Sequence, residues 1–180
     1  MRIAAIVGAL VAGLGLGGAG LARADVIDSQ PGGFQVEEKV EIAAPADRVW
    51  TALGQFGGWW SSEHSWSKDA RNLSLDLKAG GCLCETLPGG GGVQHMRVIY
   101  AQQGKMAILD GTLGPLMFSG AAGHLVWSLE EKDGHTTLTQ DYYVGGYRKG
   151  GLGAALAIPV DGVLTLQLGR LKSFVETGKP

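Results

Sequence analysis

The sequence predicts an α+β fold, an antiparallel sheet laid against one long C-terminal helix, and three observations carry that prediction. Residues Phe34 to Ile42 alternate, with Phe34, Val36, Glu38, Val40 and Ile42 on one side and Gln35, Glu37, Lys39 and Glu41 on the other, the period of a half-buried strand. Six further strand-like stretches follow, at about 71–78, 82–87, 93–101, 105–112, 122–131 and 135–144, each bounded by turn residues. At 100° per residue, Val160, Val163, Leu164, Gln167, Leu168, Leu171, Phe174 and Val175 then fall within one arc of roughly 140°. A helix with so broad an apolar face must lie on a sheet.

Taken in chain order, the first element is an address. Met1 and Arg2 precede an uncharged run from Ile3 to Ala22, and Ala22-Arg23-Ala24 is the small-x-small pattern of a signal-peptidase site. The run is long enough to span a membrane, but six glycines weaken it as a stable helix, so removal of residues 1–24 is expected and stable membrane insertion is not. Cleavage would begin the chain at Asp25, in the periplasm or outside the cell, where thiols meet oxidants.

Residues 25–33 read as an irregular lead-in ending in Pro31-Gly32-Gly33, and residues 34–178 as a single domain. After the first strand, Ala44-Pro45-Ala46-Asp47 opens a helix, since proline suits the first helical position and an acid suits the first turn. Gly57-Gly58 is expected to stop it, and Trp59, Trp60 and Trp66 to sit in a second short helix or loop. The six strands come next, then a Gly-rich stretch at 145–153, then the long helix with Pro159 near its start and Gly178 after its end.

Composition narrows the class. Glycine supplies 31 of 180 residues, against a usual ~7%. It does not recur at every third position and there are only 6 prolines, which excludes a collagen-like chain. Most glycines stand between periodic segments, as the punctuation of a many-turned sheet. With 15 bases against 17 acids the chain has no basic excess, so no nucleic-acid partner is expected.

The run Val40-Glu41-Ile42-Ala43-Ala44-Pro45-Ala46-Asp47-Arg48-Val49-Trp50-Thr51-Ala52-Leu53, followed by Trp59-Trp60, resembles the opening of the START-like superfamily, also called SRPBCC. Its members include polyketide cyclases, coenzyme Q-binding proteins and the Hsp90-activator-like family. The ending, Val160-Asp161-Gly162-Val163-Leu164 leading to Gln167-Leu168 and Arg170-Leu171, is similar too, so the likeness spans about residues 34–177. The resemblance implies a helix-grip fold, with a curved antiparallel sheet wrapped around the C-terminal helix, two short helices after the first strand, and an apolar cavity between sheet and helix. It implies a pocket for a small hydrophobic ligand, and no cofactor is expected. An Hsp90-type partner is cytosolic and conflicts with an export signal.

Several residues are candidates for chemistry. Cys82-Leu83-Cys84 lies on a strand, where residues two apart share a face at ~6.5–7 Å between Cα atoms, so a bridge needs a bent strand. Buried packing, redox or disulfide pairing, and metal binding all remain open. If Pro88–Gly92 closes a symmetric hairpin, Cys84 lies opposite Met96, Cys82 opposite Val98 and Glu85 opposite His95. Two thiolates without a third ligand on their face make a weak zinc site, so metal is the least favoured of the three and no metal ligand is assigned. Glu85, His95 and Arg97 would share a face: a carboxylate that orients an imidazole, beside a guanidinium able to grip a ligand carboxylate. An ordinary cross-strand polar set gives the same pattern. Tyr142 or Tyr143 could bring a hydroxyl to the cavity, or simply pack. His64 is expected in a surface loop. Gln167, alone among apolar residues on its helix face, either bonds backbone nearby or orients a ligand deep in the pocket.

Two readings follow. In the first, an exported domain binds a small hydrophobic or amphipathic ligand in a pocket formed by Trp59, Trp60, Arg97, Leu164, Gln167, Leu168 and Leu171. In the second, a cyclase- or hydratase-like enzyme uses Glu85, His95, Tyr142 or Tyr143 as acid and base in the same cavity. The first is preferred because no motif for nucleophilic catalysis or dinucleotide binding is present. Two of the four groups facing one cavity would favour the second.

Overall fold

A computed structural model describes residues 23–180. The expected signal peptide lies outside the described residues apart from the backbone of 23 and 24. Eight strands form one sheet: β1 (Arg23–Gln30), β2 (Gly33–Ile42), β3 (Leu73–Leu75), β4 (Cys82–Thr86), β5 (Gly92–Gln102), β6 (Met106–Gly111), β7 (Gly120–Lys132) and β8 (His135–Tyr147). Among the described residues three α-helices accompany them: α1 (Ala46–Gly54), α2 (Phe56–Trp59) and α3 (Gly153–Thr177). The sheet order is β1-β2-β8-β7-β6-β5-β4-β3, with every neighbouring pair antiparallel. The curved sheet wraps α3, which packs on β2 and β1, while α1 and α2 close one end. This is the helix-grip architecture that the resemblance implies.

Residues 25–33 are not irregular. Most of them continue β1, which pairs with β2 from Arg23↔Lys39 to Gln30↔Gly33 around the two-residue turn Pro31-Gly32. The polar sequence Asp25, Asp28, Ser29, Gln30 hides a strand because an edge strand buries little. The third strand is shorter than expected, 73–75 rather than 71–78, since the chain turns back at Lys78 to Gly81. The first helix breaks at Gln55, and Gly57-Gly58 lie inside α2 instead of ending α1. Close packing explains the glycine here: a Cβ at Gly57 would stand 2.5 Å from the Ala70 carbonyl oxygen. Pro159 sits nearly two turns into α3 rather than at its start.

The alternation of β2 holds: Phe34, Val36, Glu38, Val40 and Ile42 are all buried. On α3, Leu164, Gln167, Leu168, Leu171 and Val175 are buried, while Val160, Val163 and Phe174 are half-buried. One buried polar chain crosses this core. The Trp127 indole N–H donates to Gln140 Oε1 at 2.7 Å, and Gln140 Nε2 donates to Glu38 Oε2 at 3.0 Å. Glu38 Oε1 is buried without a partner among the described residues. Desolvation, with further push from Asp161, Asp141 and Glu37, outweighs the Gln140 hydrogen bond and drives the Glu38 carboxyl up to about 8.

A walled cavity and a histidine on a bulge

A cavity of about 420 Å³ lies between the N-terminal half of α3 and the sheet. Leu156, Pro159, Val160, Val163 and Leu164 of α3 form one wall. Leu73, Leu83, His95 and Tyr142 form the opposing wall, with Phe56, Trp60 and Trp66 at one end and the turn Leu113–Leu116 at another. Glu63, His64, Lys68 and Arg148, together with His95 and Tyr142, are the charged or titratable side chains along it. The volume is within the ~300–1,000 Å³ of small-molecule sites, and the apolar lining with a few polar groups is their usual make-up.

The β4–β5 register departs from the symmetric hairpin. Cys82 pairs with Arg97, Leu83 with Met96, Cys84 with Gln94 and Glu85 with Val93. Between Leu83 and Cys84 the ladder shifts by one residue, so His95 is an extra residue in β5, a β-bulge. The consequence is visible in burial: His95 and Met96, though consecutive, are both buried. Beyond the bulge the faces reverse. Met96 and Val98 point inward, and Arg97 and Ile99 are exposed on the outer surface. Arg97 therefore does not join Glu85 and His95, because the period-two reading runs through a point where the period breaks. Gly111 makes room on the neighbouring strand. Its φ is +145°, and a Cβ there would lie 2.4 Å from the His95 carbonyl oxygen.

Glu85 and His95 do come together. His95 Nε2 lies 2.9 Å from Glu85 Oε2, and both side chains are almost wholly removed from solvent. Glu85 also accepts from the Trp66 N–H at 3.1 Å and the Ser67 N–H at 2.5 Å. Burial alone would raise the Glu85 carboxyl, but hydrogen bonds from Ser67, then Trp66 and His95, hold it below the ordinary carboxylate value. An anionic Glu85 can only accept, so Nε2 of His95 carries a proton, and in the neutral form of the ring that tautomer leaves Nδ1 as the acceptor. Glu85 stands behind His95, and His95 forms part of the cavity wall.

Tyr142 is fully buried and lines the same cavity. Its oxygen accepts from the Leu113 N–H at 3.1 Å. Burial, only partly offset by that hydrogen bond, pushes the phenol up to about 12, so it stays protonated. Its O–H is left as a donor for a polar atom in the cavity. Tyr143, one residue on, points to the other face of the sheet, 44% exposed, beside Asp141.

The remaining candidates divide by the geometry of α3. Trp60 and Leu164 line the cavity, while Trp59, Leu168 and Leu171 lie in the core beyond it. The Trp59 indole donates to the Ala52 carbonyl at 2.9 Å. Gln167 does not line the cavity either. Its Oε1 accepts from the Ser61 N–H and its Nε2 donates to His64 Nδ1, both at 2.9 Å, so it ties α3 to the segment at the mouth. His64 is exposed, as a surface loop requires, yet it stands on the cavity rim. Trp66, Lys68, Leu113–Leu116 and Arg148 were not legible as site residues, because they lie in loops without periodic pattern. Cys82 and Cys84 form a disulfide on the outer side of β4, their Cα atoms 5.4 Å apart. Among the described residues no cluster of His, Cys, Asp and Glu is poised to hold a metal ion.

A sheet gripping a long C-terminal helix over an apolar cavity defines the START-like class. Within it, the chain belongs to the family described as polyketide cyclase / dehydrase and lipid transport, which matches over residues 33–176. Solved structures agree in fold. CalU16 from Micromonospora echinospora matches at TM-score 0.57 and 15% identity, covering 90% of this chain and 86% of that one. A conserved protein of unknown function from Enterococcus faecalis, EF2215, matches at TM-score 0.60 and 15% identity, over 88% and 79%. The Aha1 dimer from Colwellia psychrerythraea matches at TM-score 0.56 and 16% identity, over 81% and 98%. No curated protein matches the sequence.

Proposed function

We propose that this is an exported START-like domain that holds a small hydrophobic or amphipathic molecule between the sheet and α3. The observation that carries the reading is the cavity of about 420 Å³, walled by aliphatic and aromatic side chains and supplied with a few fixed polar groups. Apolar walls give affinity without direction. The Tyr142 O–H as donor and the His95 Nδ1 as acceptor give orientation, and Lys68 and Arg148 at the rim favour an anionic end near solvent. The test is mass spectrometry of small molecules extracted from protein purified without denaturation, for the wild type and for Leu164→Trp, which fills the cavity. A molecule of apolar body retained by the wild type and lost from the variant supports the reading. Equal recovery from both, or recovery from neither, counts against it. Recovery of mature protein beginning at Asp25 from the periplasm or medium tests export.

One observation favours a second reading, an enzyme of the cyclase or hydratase kind. His95, oriented by Glu85, and Tyr142 stand in one cavity with opposite proton roles. Nδ1 of His95 would take a proton from carbon beside a carbonyl, and the Tyr142 O–H would stabilise the enolate oxygen. Exchange of α-protons of a bound β-keto ester into deuterated water, lost in His95→Gln, tests it.

A further inference from the structure

We propose that the mouth of the cavity docks on an anionic lipid bilayer, so that an apolar molecule passes between bilayer and cavity. The proposal rests on reading the cavity as a ligand site and names the surface from which that site is filled. Cavity-lining residues that are also exposed mark the opening. Trp66, Pro115 and Pro159 are its apolar members, and Glu63, His64, Lys68 and Arg148 its charged or titratable ones.

Apolar side chains continue outward from this opening. The Phe118 ring is 76% exposed and meets Trp66 edge-on, with centroids 5.4 Å apart. Tyr147 is 75% exposed; it directly precedes Arg148 and pairs across the ladder with Gly120, close after Phe118 in the chain. At 100° per residue, Ala155, Pro159 and Leu166 run beside the cavity-lining Leu156 and Val163, on the side turned to solvent. From Ala154 to Gly169 every exposed residue of α3 is apolar, with Ile158 and Leu166 the bulkiest. A surface helix ordinarily turns polar residues outward, so a face of this kind calls for a cover.

Two features select a lipid surface as that cover. Trp and Tyr are the residue types that settle at the level of lipid headgroups, and here Trp66 lines the opening while Tyr147 adjoins Arg148. Cations stand with them. The chain carries 15 bases against 17 acids, yet the opening and its flank hold Lys68, Arg148 and Lys149 against Glu63. Anionic headgroups meet those cations while acyl chains meet Phe118 and the flank of α3. A second copy seated symmetrically on the same face would instead bring like charges together. The dock is peripheral, because α3 stays packed on β1 and β2.

The test is co-sedimentation of natively purified protein with vesicles of phosphatidylcholine alone, and of phosphatidylcholine and phosphatidylglycerol in equal parts. The wild type is compared with an apolar double variant, Phe118→Ser with Tyr147→Ser, and a charge double variant, Lys68→Glu with Lys149→Glu. Tyr100→Ser removes an exposed aromatic near the far end of β5 as a control. All share one N-terminus, so differences between them report the altered side chains. The wild type should bind the mixed vesicles about tenfold more tightly than the neutral ones, and the charge variant should lose that preference. The apolar variant should weaken binding to both by about tenfold, and Tyr100→Ser should change neither. The proposal is overturned if the wild type stays in the supernatant, or if the apolar variant binds like the wild type. It is also overturned if sedimentation velocity shows this face closed by a second copy that the apolar variant releases. Should one double variant misfold, the other decides. Vesicle binding by a protein that retains no extracted molecule leaves the dock standing and defeats the ligand reading; a retained molecule without vesicle binding does the reverse.

Discussion

Glu38 on β2 and Glu85 on β4 lie five strands apart in the same sheet, both removed from water, and they end in opposite charge states. Glu85 receives hydrogen bonds from Ser67, Trp66 and His95 and is held below its ordinary value. Glu38 receives one, from Gln140, and has one oxygen without a partner among the described residues; desolvation, with the nearby charges of Asp161, Asp141 and Glu37, pushes it up to about 8. Burial by itself favours the neutral acid in both places. The number of donors aimed at the carboxylate decides which glutamate keeps its charge. The cavity side of the sheet has those donors because the loop carrying Trp66 and Ser67 folds over β4. The β2 side has only a side-chain amide, itself tied to Trp127.

The largest effect should come from removing the anion that three donors surround. Glu85→Ala leaves the Trp66 and Ser67 N–H groups and the His95 ring without their acceptor. A loss of roughly 5 kcal/mol in urea unfolding is expected. Glu38→Gln should be near neutral or stabilising at pH 8, because it replaces a carboxyl that is costly to ionise. If both substitutions cost the same at pH 8, donor count is not what separates the two sites.

The pH dependence sharpens the contrast. Glu38 has a folded value above the ordinary 4.5, so as pH rises the unfolded chain releases its proton first. Stability should fall between about pH 4.5 and about 8, then level off. At 1.36 kcal/mol per unit the shift bounds the loss near 5 kcal/mol, and relaxation around a newly charged carboxylate should bring the measured loss to about 3 kcal/mol. Glu85 acts with the opposite sign: its contribution is present above the ordinary value and is lost as pH falls through its depressed one. Urea midpoints from about pH 2 to about pH 9 should show both limbs, and Glu38→Gln should flatten only the alkaline one. A slope unchanged in that variant would locate the titration elsewhere.

How far these sites could be read from sequence depends on whether the strand period was intact. On β2 it was, and Glu38 falls among Phe34, Val36, Val40 and Ile42 both in the sequence and in the core. The long apolar arc likewise identified α3, although only its first half meets the cavity and its second half, with Leu168 and Leu171, meets the core. On β5 the period fails at His95. The pairing of Glu85 with His95 was legible as a shared face, but the inward turn of Met96 and the outward turn of Arg97 were not. The bulge lies where Gly111 on β6 leaves room against the His95 carbonyl, and no local pattern in β5 announces it. The loops at 63–68 and 113–116 contribute walls through tertiary position alone.

Gly111→Ala tests the bulge from that neighbouring strand. The residue has φ +145° and its Cβ would meet the His95 carbonyl at 2.4 Å, so the backbone of one strand must shift. A loss of about 2 kcal/mol is expected, with a changed NMR environment of the His95 ring.

Tyr142→Phe should be the mildest change and the one most specific to the cavity. The phenol oxygen accepts a single hydrogen bond, from the Leu113 N–H, and the ring packs against Gly123, where Phe would leave the same shape. Removing the oxygen leaves one N–H beside a cavity that a water molecule can enter, so about 1 kcal/mol of stability should go. The alkaline limb set by Glu38 should not move, because Tyr142 is not among the groups that act on it. Binding of an apolar molecule without a polar acceptor should be unchanged, whereas one with a carbonyl facing the Tyr142 O–H should weaken about tenfold. Equal weakening of both would mean that the variant alters the shape of the cavity, and that Tyr142 packs the wall without orienting what it holds.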